Sequence, residues 1–516
     1  MDEGLVYPPP SLRTRGGAYD VFERKFRSAI VRPADLMEFP SALFLLFVVA
    51  VVSAYHASQN PAWRIVVLTA ANIVFIASYL TTFSEVVPLL GFLIVSYTLV
   101  ETARSIRSTR IFVFSLSFIL ASFIYLKRFA FISDLPALPF PYITLGLSYI
   151  LFRVLHLLID ARDGEVPERI SPLAFLNYTC NFLCFVSGPI QRYQQFLANA
   201  RSAQPGLDED QVFLALRRII TGYVKVIIVS GFADFFFTKL HRQLFEADAL
   251  ASNVALVPVF ALAAILYAIY LYYNFSGYMD IIIGIGKLLR QDLPENFNKP
   301  FLARDFLEFW TRWHMTLSEW FKTYLFNPLM QALMTRFRQP ALMPYLGVAA
   351  FFVTFLVMGL WHGTTAIFAI YGLLMGAGAS ITRLWQLLIV KLIGKVRYRK
   401  LGSNKLYEYL CRGLVCAYYA MGITCFWVDL TEAQTLWQTV GPTGLLAGLV
   451  LLTIACAVGF FLWDFTSRAV AGMFDITRSR MQRGVVGHFW AAADLLVVLV
   501  VFSFFHKPPE FVYRGF

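Results

Sequence analysis

Two histidines carry the chemistry that this sequence offers. His314 stands in an aromatic stretch running from Asp305 to Trp320, and His362 closes a hydrophobic run that begins near residue 342. An imidazole takes up and releases a proton near neutral pH. In its neutral form it can also remove the proton from a hydroxyl as that hydroxyl attacks a carbonyl. An ionisable side chain in an apolar, membrane-length segment is costly to keep there, so it points to function. The competing reading of each is structural: a buried ring bonded to a neighbouring helix for His362, an interfacial ring for His314. The other five, His56, His156, His241, His488 and His506, lie near loop ends or lack a motif and read as ordinary helix-end or interfacial residues.

The elements that hold these rings must be membrane helices. Of 516 residues, 58% are hydrophobic and 15% charged, with a mean hydropathy of +0.63. Soluble domains carry about 25% charged residues. A chain this apolar needs a greasy exterior as well as a greasy core. The net charge of +12 comes mainly from Lys and Arg in short segments between apolar runs. That distribution fits membrane topology and anionic headgroups, and excludes nucleic acid as the expected partner. The six cysteines show no metal-ligand spacing, so neither a metal site nor a disulfide framework is predicted. Cys180 and Cys184 read as packing residues.

Hydrophobic runs near 40–56, 63–83, 86–100, 111–126, 140–160, 173–187, 212–238, 254–286, 342–362, 364–393, 408–428, 441–464 and 488–506 predict an all-α polytopic protein. About 10–12 helices should cross the bilayer, with re-entrant and amphipathic pieces beside them; runs 86–100 and 173–187 are too short to span about 30 Å. Residues 1–35 form a polar tail on the cytoplasmic side, not a cleavable signal, and residues 36–516 a single membrane domain. Segment 391–405 holds Lys391, Lys395, Arg397, Arg399, Lys400 and Lys405 and reads as a cytoplasmic loop, whereas 429–440 has acidic residues only and reads as an outside loop. Arg468, Arg478, Arg480 and Arg483 return the chain to the cytoplasm.

Two stretches depart from plain spans. Run 254–286 is longer than a bilayer needs, and Asn274, Ser276, Gly277 and Asp280 near its middle predict a break or water-lined turn. The alternative is a long tilted helix whose polar residues bond a neighbour. In 302–325, Phe306, Trp310, Trp313, Leu317, Trp320 and Tyr324 recur at helical steps opposite Arg304, Glu308, Arg312, Glu319 and Lys322. That pattern predicts one amphipathic helix with His314 at the edge of its aromatic face. An Asp305–Arg312 ion pair within it is one possible arrangement.

Taken in order, Tyr273 to Asp280, Pro294 to Phe301, Asp305 to Trp320 and Met358 to Gly363 resemble the motifs of the membrane-bound O-acyltransferase (MBOAT) family. Leu145 to Ser148, Ser187 to Tyr193 and the Phe-Val-Tyr near the C-terminus add to the likeness, which covers about residues 36–516. The chain is most similar to the bacterial branch that includes membrane proteins of alginate O-acetylation and of teichoic-acid D-alanyl transfer. The resemblance implies helices around a central funnel or tunnel, with His362 deep inside as general base. His314 would orient the acceptor or stabilise the oxyanion. Asn274, Asp280, Asn298, Lys299, Asp305, Trp310, Arg312, Trp313 and Trp361 fall in matching motifs and are candidates for the substrate and donor path.

The reaction so implied moves an acyl group, acetyl in the first instance, from a thioester to hydroxyls of a cell-surface or exported polysaccharide. No permanently bound cofactor is expected; the donor would be acyl-CoA (acetyl-CoA) or an acyl-carrier protein, and an exported partner would complete transfer. The location implied is a bacterial inner membrane. Met279 and Asn327 to Met330 depart from the alginate-type pattern, and D-alanyl transfer from a carrier protein is the alternative. A transporter or flippase built on broken helices is a third reading, but no paired interrupted helices occur in corresponding halves.

Overall fold

The computed structural model describes residues 39, 41–140, 142, 144–166, 168–201, 207–245, 253–473, 492, 493, 495–497 and 499. The N-terminal tail, Arg478, Arg480, Arg483, His488, His506 and the C-terminal Phe-Val-Tyr lie outside the described residues.

Helices make up the regular structure, and among the described residues there is no strand. Among the described residues, seven are long and apolar enough to cross a membrane: Phe83–Ile106, Thr109–Lys127, Ala255–Leu288, Pro340–His362, Ala366–Gly402, Lys405–Phe426 and Gly441–Ser467. Two shorter apolar helices, Ala42–His56 and Pro61–Ala77, stand beside them. Local chemistry sets several starts. Ser41 and Asn60 cap these two helices through their side-chain oxygens, and Pro61 takes the first position of its helix, where no N–H is needed. Run 86–100 was expected to stop short, but its helix continues through Glu101–Arg104, whose ion pair of 2.9 Å carries it to membrane length.

Three expectations are corrected. First, the break at Asn274–Asp280 is not there: Asn253–Leu288 is one continuous helix of 36 residues. Its carboxylate is met by neighbours, as Asp280 pairs with Arg218 (3.1 Å) and Lys225 (2.6 Å) on the adjoining helical segment 209–230. Gly277 lets that segment approach, since a Cβ there would lie 2.7 Å from the Gly222 carbonyl oxygen. Second, residues 302–325 are not one amphipathic helix. They form Pro300–Leu302, Phe306–Trp310 and Met315–Phe321, followed by a π-helical stretch Lys322–Phe326, with the chain turning at His314. Third, the basic segment 391–405 mostly continues the helix Ala366–Gly402, kinked at Gly394 (φ 80°), and 429–440 holds the helix Leu430–Thr439.

The site is positioned by a helical hairpin and an inner helix. Met343–His362 packs along Ala366–Gly402, and Gly359 and Gly372 meet so closely that a Cβ on Gly359 would lie 2.5 Å from the Gly372 backbone. Leu147–Asp163 is buried along nearly all its length, which places Tyr149, Arg153 and His156 inside the molecule.

Candidate functional site

Both singled-out imidazoles are enclosed: His314 is 1% and His362 3% exposed. His362 ends its helix, and Gly363 continues in extended conformation, so the ring stands where the hairpin turns. The neighbouring rings of Trp361, Phe426 and Tyr371 lie with centroids 4.7, 5.3 and 5.4 Å away. His362 is therefore turned into protein, not toward lipid.

His314 is held by its backbone as much as by its surroundings. Its φ of 44° is left-handed, a conformation uncommon for a residue with a Cβ. It precedes Met315–Phe321 and reverses the direction in which the chain leaves Phe306–Trp310. Two backbone bonds bracket it: Asn298 N–H donates to the Arg312 carbonyl (2.9 Å) and Met315 N–H to the Asn296 carbonyl (2.9 Å). Segment 296–298 thus clips the turn from one side. Phe275, on the long continuous helix, sets its ring edge-on to the imidazole at 4.9 Å.

The two imidazoles belong to one shell. The Tyr149 hydroxyl lies 3.5 Å from His314 Nε2, at the limit of a hydrogen bond, while its ring packs against Trp361 at 5.8 Å, beside His362. Burial first, and then the nearby His362, push His314 well below the ordinary imidazole pKa, so it is neutral at pH 7. The Nε1 hydrogens of Trp310 and Trp361 are buried and have no protein acceptor.

The predicted path residues divide. Trp313 is buried among Phe297, Phe309 and Tyr419, and Trp310 against Phe355, so both wall the His314 turn. Trp361 borders both histidines through Tyr149, and Asn274 is buried next to Phe275 in the same helix. The others make their contacts elsewhere. Asp280 anchors Arg218 and Lys225. Asn298 and Lys299 are exposed on the clip, and Lys299 takes a positive φ of 47°. Asp305 caps Phe306–Trp310 by accepting from Glu308 N–H and also accepts from Gln386. The Asp305–Arg312 pair is not formed: Arg312 pairs with Glu308 at 2.7 Å, one helical turn away.

Sequence reasoning passed over Asn296, Thr316 and Tyr149, although Asn296 stood inside a flagged motif and Tyr149 directly after one. It also misplaced His156, which is fully buried in mid-helix instead of at an interface. There Nε2 accepts from Tyr193 N–H (3.2 Å), and Asp160 nearby accepts from Tyr324 and Gln194 (both 2.9 Å). A cleft of about 460 Å³ lies between this network and the His314 turn, lined by His156, Arg192, Trp310, Thr316, Glu319 and Tyr324. A larger cavity of about 720 Å³ is lined by Arg304, Asp305, Phe306, Trp385, Glu408 and Tyr418. Neither His314 nor His362 lines these two spaces.

Comparison with known proteins follows the same lines. A model of the MBOAT, membrane-bound O-acyltransferase family, matches residues 66–421. Teichoic acid D-alanyltransferase of Bacillus subtilis is 30% identical over 232 residues, which cover 44% of this chain and 56% of that protein. The protein of the same name from Streptococcus thermophilus is 31% identical over 244 residues, 47% of this chain and 57% of its own. A protein named "Probable alginate O-acetylase AlgI" from Pseudomonas fluorescens is 26% identical over 246 residues, 46% and 44% of the two chains. The chain spans about half the length of the curated relatives it matches.

Proposed function

The chain belongs to the membrane-bound O-acyltransferase family, and from that premise we propose that it is a multi-pass acyltransferase of a bacterial inner membrane. It moves an acyl group, acetyl in the first instance, from a thioester on coenzyme A or a carrier protein to a hydroxyl of an envelope or exported polysaccharide. The observation that carries this reading is the enclosed pair of imidazoles, joined through Tyr149 and Trp361 in one aromatic shell.

The chemistry runs as follows. His362 takes the proton of the acceptor hydroxyl as its oxygen bonds to the thioester carbonyl carbon. The tetrahedral oxyanion needs a hydrogen-bond donor aimed at it, and the unpartnered Nε1–H of Trp361, beside His362, is the candidate. The C–S bond then breaks, and the departing thiolate regains the proton from the His362 imidazolium. Apolar enclosure keeps water from the thioester in the meantime. Residues 36–516 act as one membrane domain, and an exported partner completes delivery to the polymer.

D-alanyl transfer is the second reading, favoured by the 30% and 31% identity to proteins named teichoic acid D-alanyltransferase. Purified protein in nanodiscs, given acetyl-CoA or a D-alanyl-loaded carrier protein in turn, separates the two by which thioester is consumed. His362→Ala should lower turnover by about 10²–10⁴-fold, with the protein still inserted and monodisperse. Full turnover in that variant would overturn the assignment.

A further inference from the structure

Asn296 is completely buried, and its side chain settles a question that the His314 ring leaves open. One atom of that side chain, Oδ1, lies 3.1 Å from His314 Nδ1, 3.1 Å from the Thr316 backbone nitrogen and 2.9 Å from Thr316 Oγ1. Oxygen and nitrogen of an amide are assigned from their partners, and here the partners decide. The Thr316 N–H can only donate, so the atom facing it accepts and is the oxygen. The Thr316 hydroxyl agrees: its oxygen accepts from Ile190 N–H (3.2 Å), leaving its own hydrogen for Asn296. An oxygen that faces Nδ1 requires a hydrogen on Nδ1. A neutral imidazole carries one N–H, so Nε2 holds a lone pair.

We propose that Asn296 is a positioning residue that fixes His314 in the Nδ1–H tautomer and makes Nε2 an acceptor toward the substrate hydroxyls. This rests on the reading of His314 as part of the acyl-transfer site and sharpens it. Of the two roles open to His314, it selects orienting the acceptor, because a bare Nε2 has no hydrogen to give an oxyanion. The Tyr149 hydroxyl meets Nε2 as a donor at the 3.5 Å limit, and an incoming hydroxyl replaces it there. The backbone clip supports the same geometry, since the Asn296 carbonyl also accepts from Met315 N–H. Ring and turn are thus held by one residue.

The test is ¹⁵N spectroscopy of histidine-labelled full-length protein in nanodiscs, with the His314 signal assigned by its loss in His314→Ala. The expected wild-type spectrum has a protonated Nδ1 and a bare Nε2; a protonated Nε2 overturns the proposal. Kinetics then asks whether the tautomer matters. Asn296→Ala should lower kcat about tenfold or more, with KM for the thioester donor unchanged. Asn296→Asp, which keeps an oxygen facing Nδ1, should recover most of that loss and move the acid limb of the rate profile to higher pH. Equal loss in both variants, with no shift of the limb, would reduce Asn296 to a packing residue. If His314→Ala turns over normally, the catalytic reading of His314 fails, while the spectrum still decides the tautomer.

Discussion

At the scale of single residues, the imidazole of His314 is neutral because burial strips it of water and His362 stands near. Its Nε2 can accept a hydroxyl hydrogen only while unprotonated. A depressed pKa means protonation sets in only after pH has fallen past the ordinary imidazole value of about 6.5. The acid limb of kcat/KM should therefore lie below about pH 6.5, read from the full rate profile with thioester donor; a limb above that value contradicts the neutral, buried ring. Both histidines were legible in the sequence, because an ionisable group in apolar surroundings stands out wherever it is. Asn296 and Tyr149 were not, for they reach His314 across 18 and 165 residues. No local pattern encodes which atom a buried amide will turn toward a ring.

At the scale of elements, periodicity told where helices run but not where they stop. Phe306, Trp310, Trp313 and Leu317 are all buried, as helical spacing predicts. Yet the helix ends before His314, since aromatic walls surround the turn and bury both halves alike. The opposite error occurred at Asn274–Asp280. Polar residues there suggested a break, but the helix runs on intact, and ion pairs from residues some 55–62 positions away satisfy Asp280 within it. Close backbone approach was equally hidden. Gly359 and Gly372 are separated by the hairpin turn, and only the folded chain reveals that a side chain on Gly359 would collide with the facing backbone. Gly359→Val should force the two helices apart and lower stability by roughly 1–3 kcal/mol. Because His362 is three residues further on, turnover should drop with it. Thermal unfolding in detergent beside the donor-consumption rate checks this, and an unchanged unfolding temperature would contradict the close packing.

At the scale of the whole molecule, the hairpin that carries His362 also separates it from a dense cluster of positive charge. His362 lies at the bend between Met343–His362 and Ala366–Gly402, whereas Lys391 to Lys400 occupy the far end of the second helix, around the Gly394 kink. The path from Ala366 to Lys391 climbs about 38 Å along the helix axis, somewhat more than the hydrocarbon thickness of about 30 Å. Lys and Arg cluster on the cytoplasmic face by the usual bias. With His362 as the proposed proton-transfer group, that group and the basic face lie at opposite ends of one hairpin, and the proposed acylation becomes a vectorial event. On that proposal, an activated donor loaded from the basic side gives up its acyl group toward the other leaflet. Oriented proteoliposomes should consume thioester supplied beside Lys391–Lys400 and leave untouched the same thioester supplied from the opposite side.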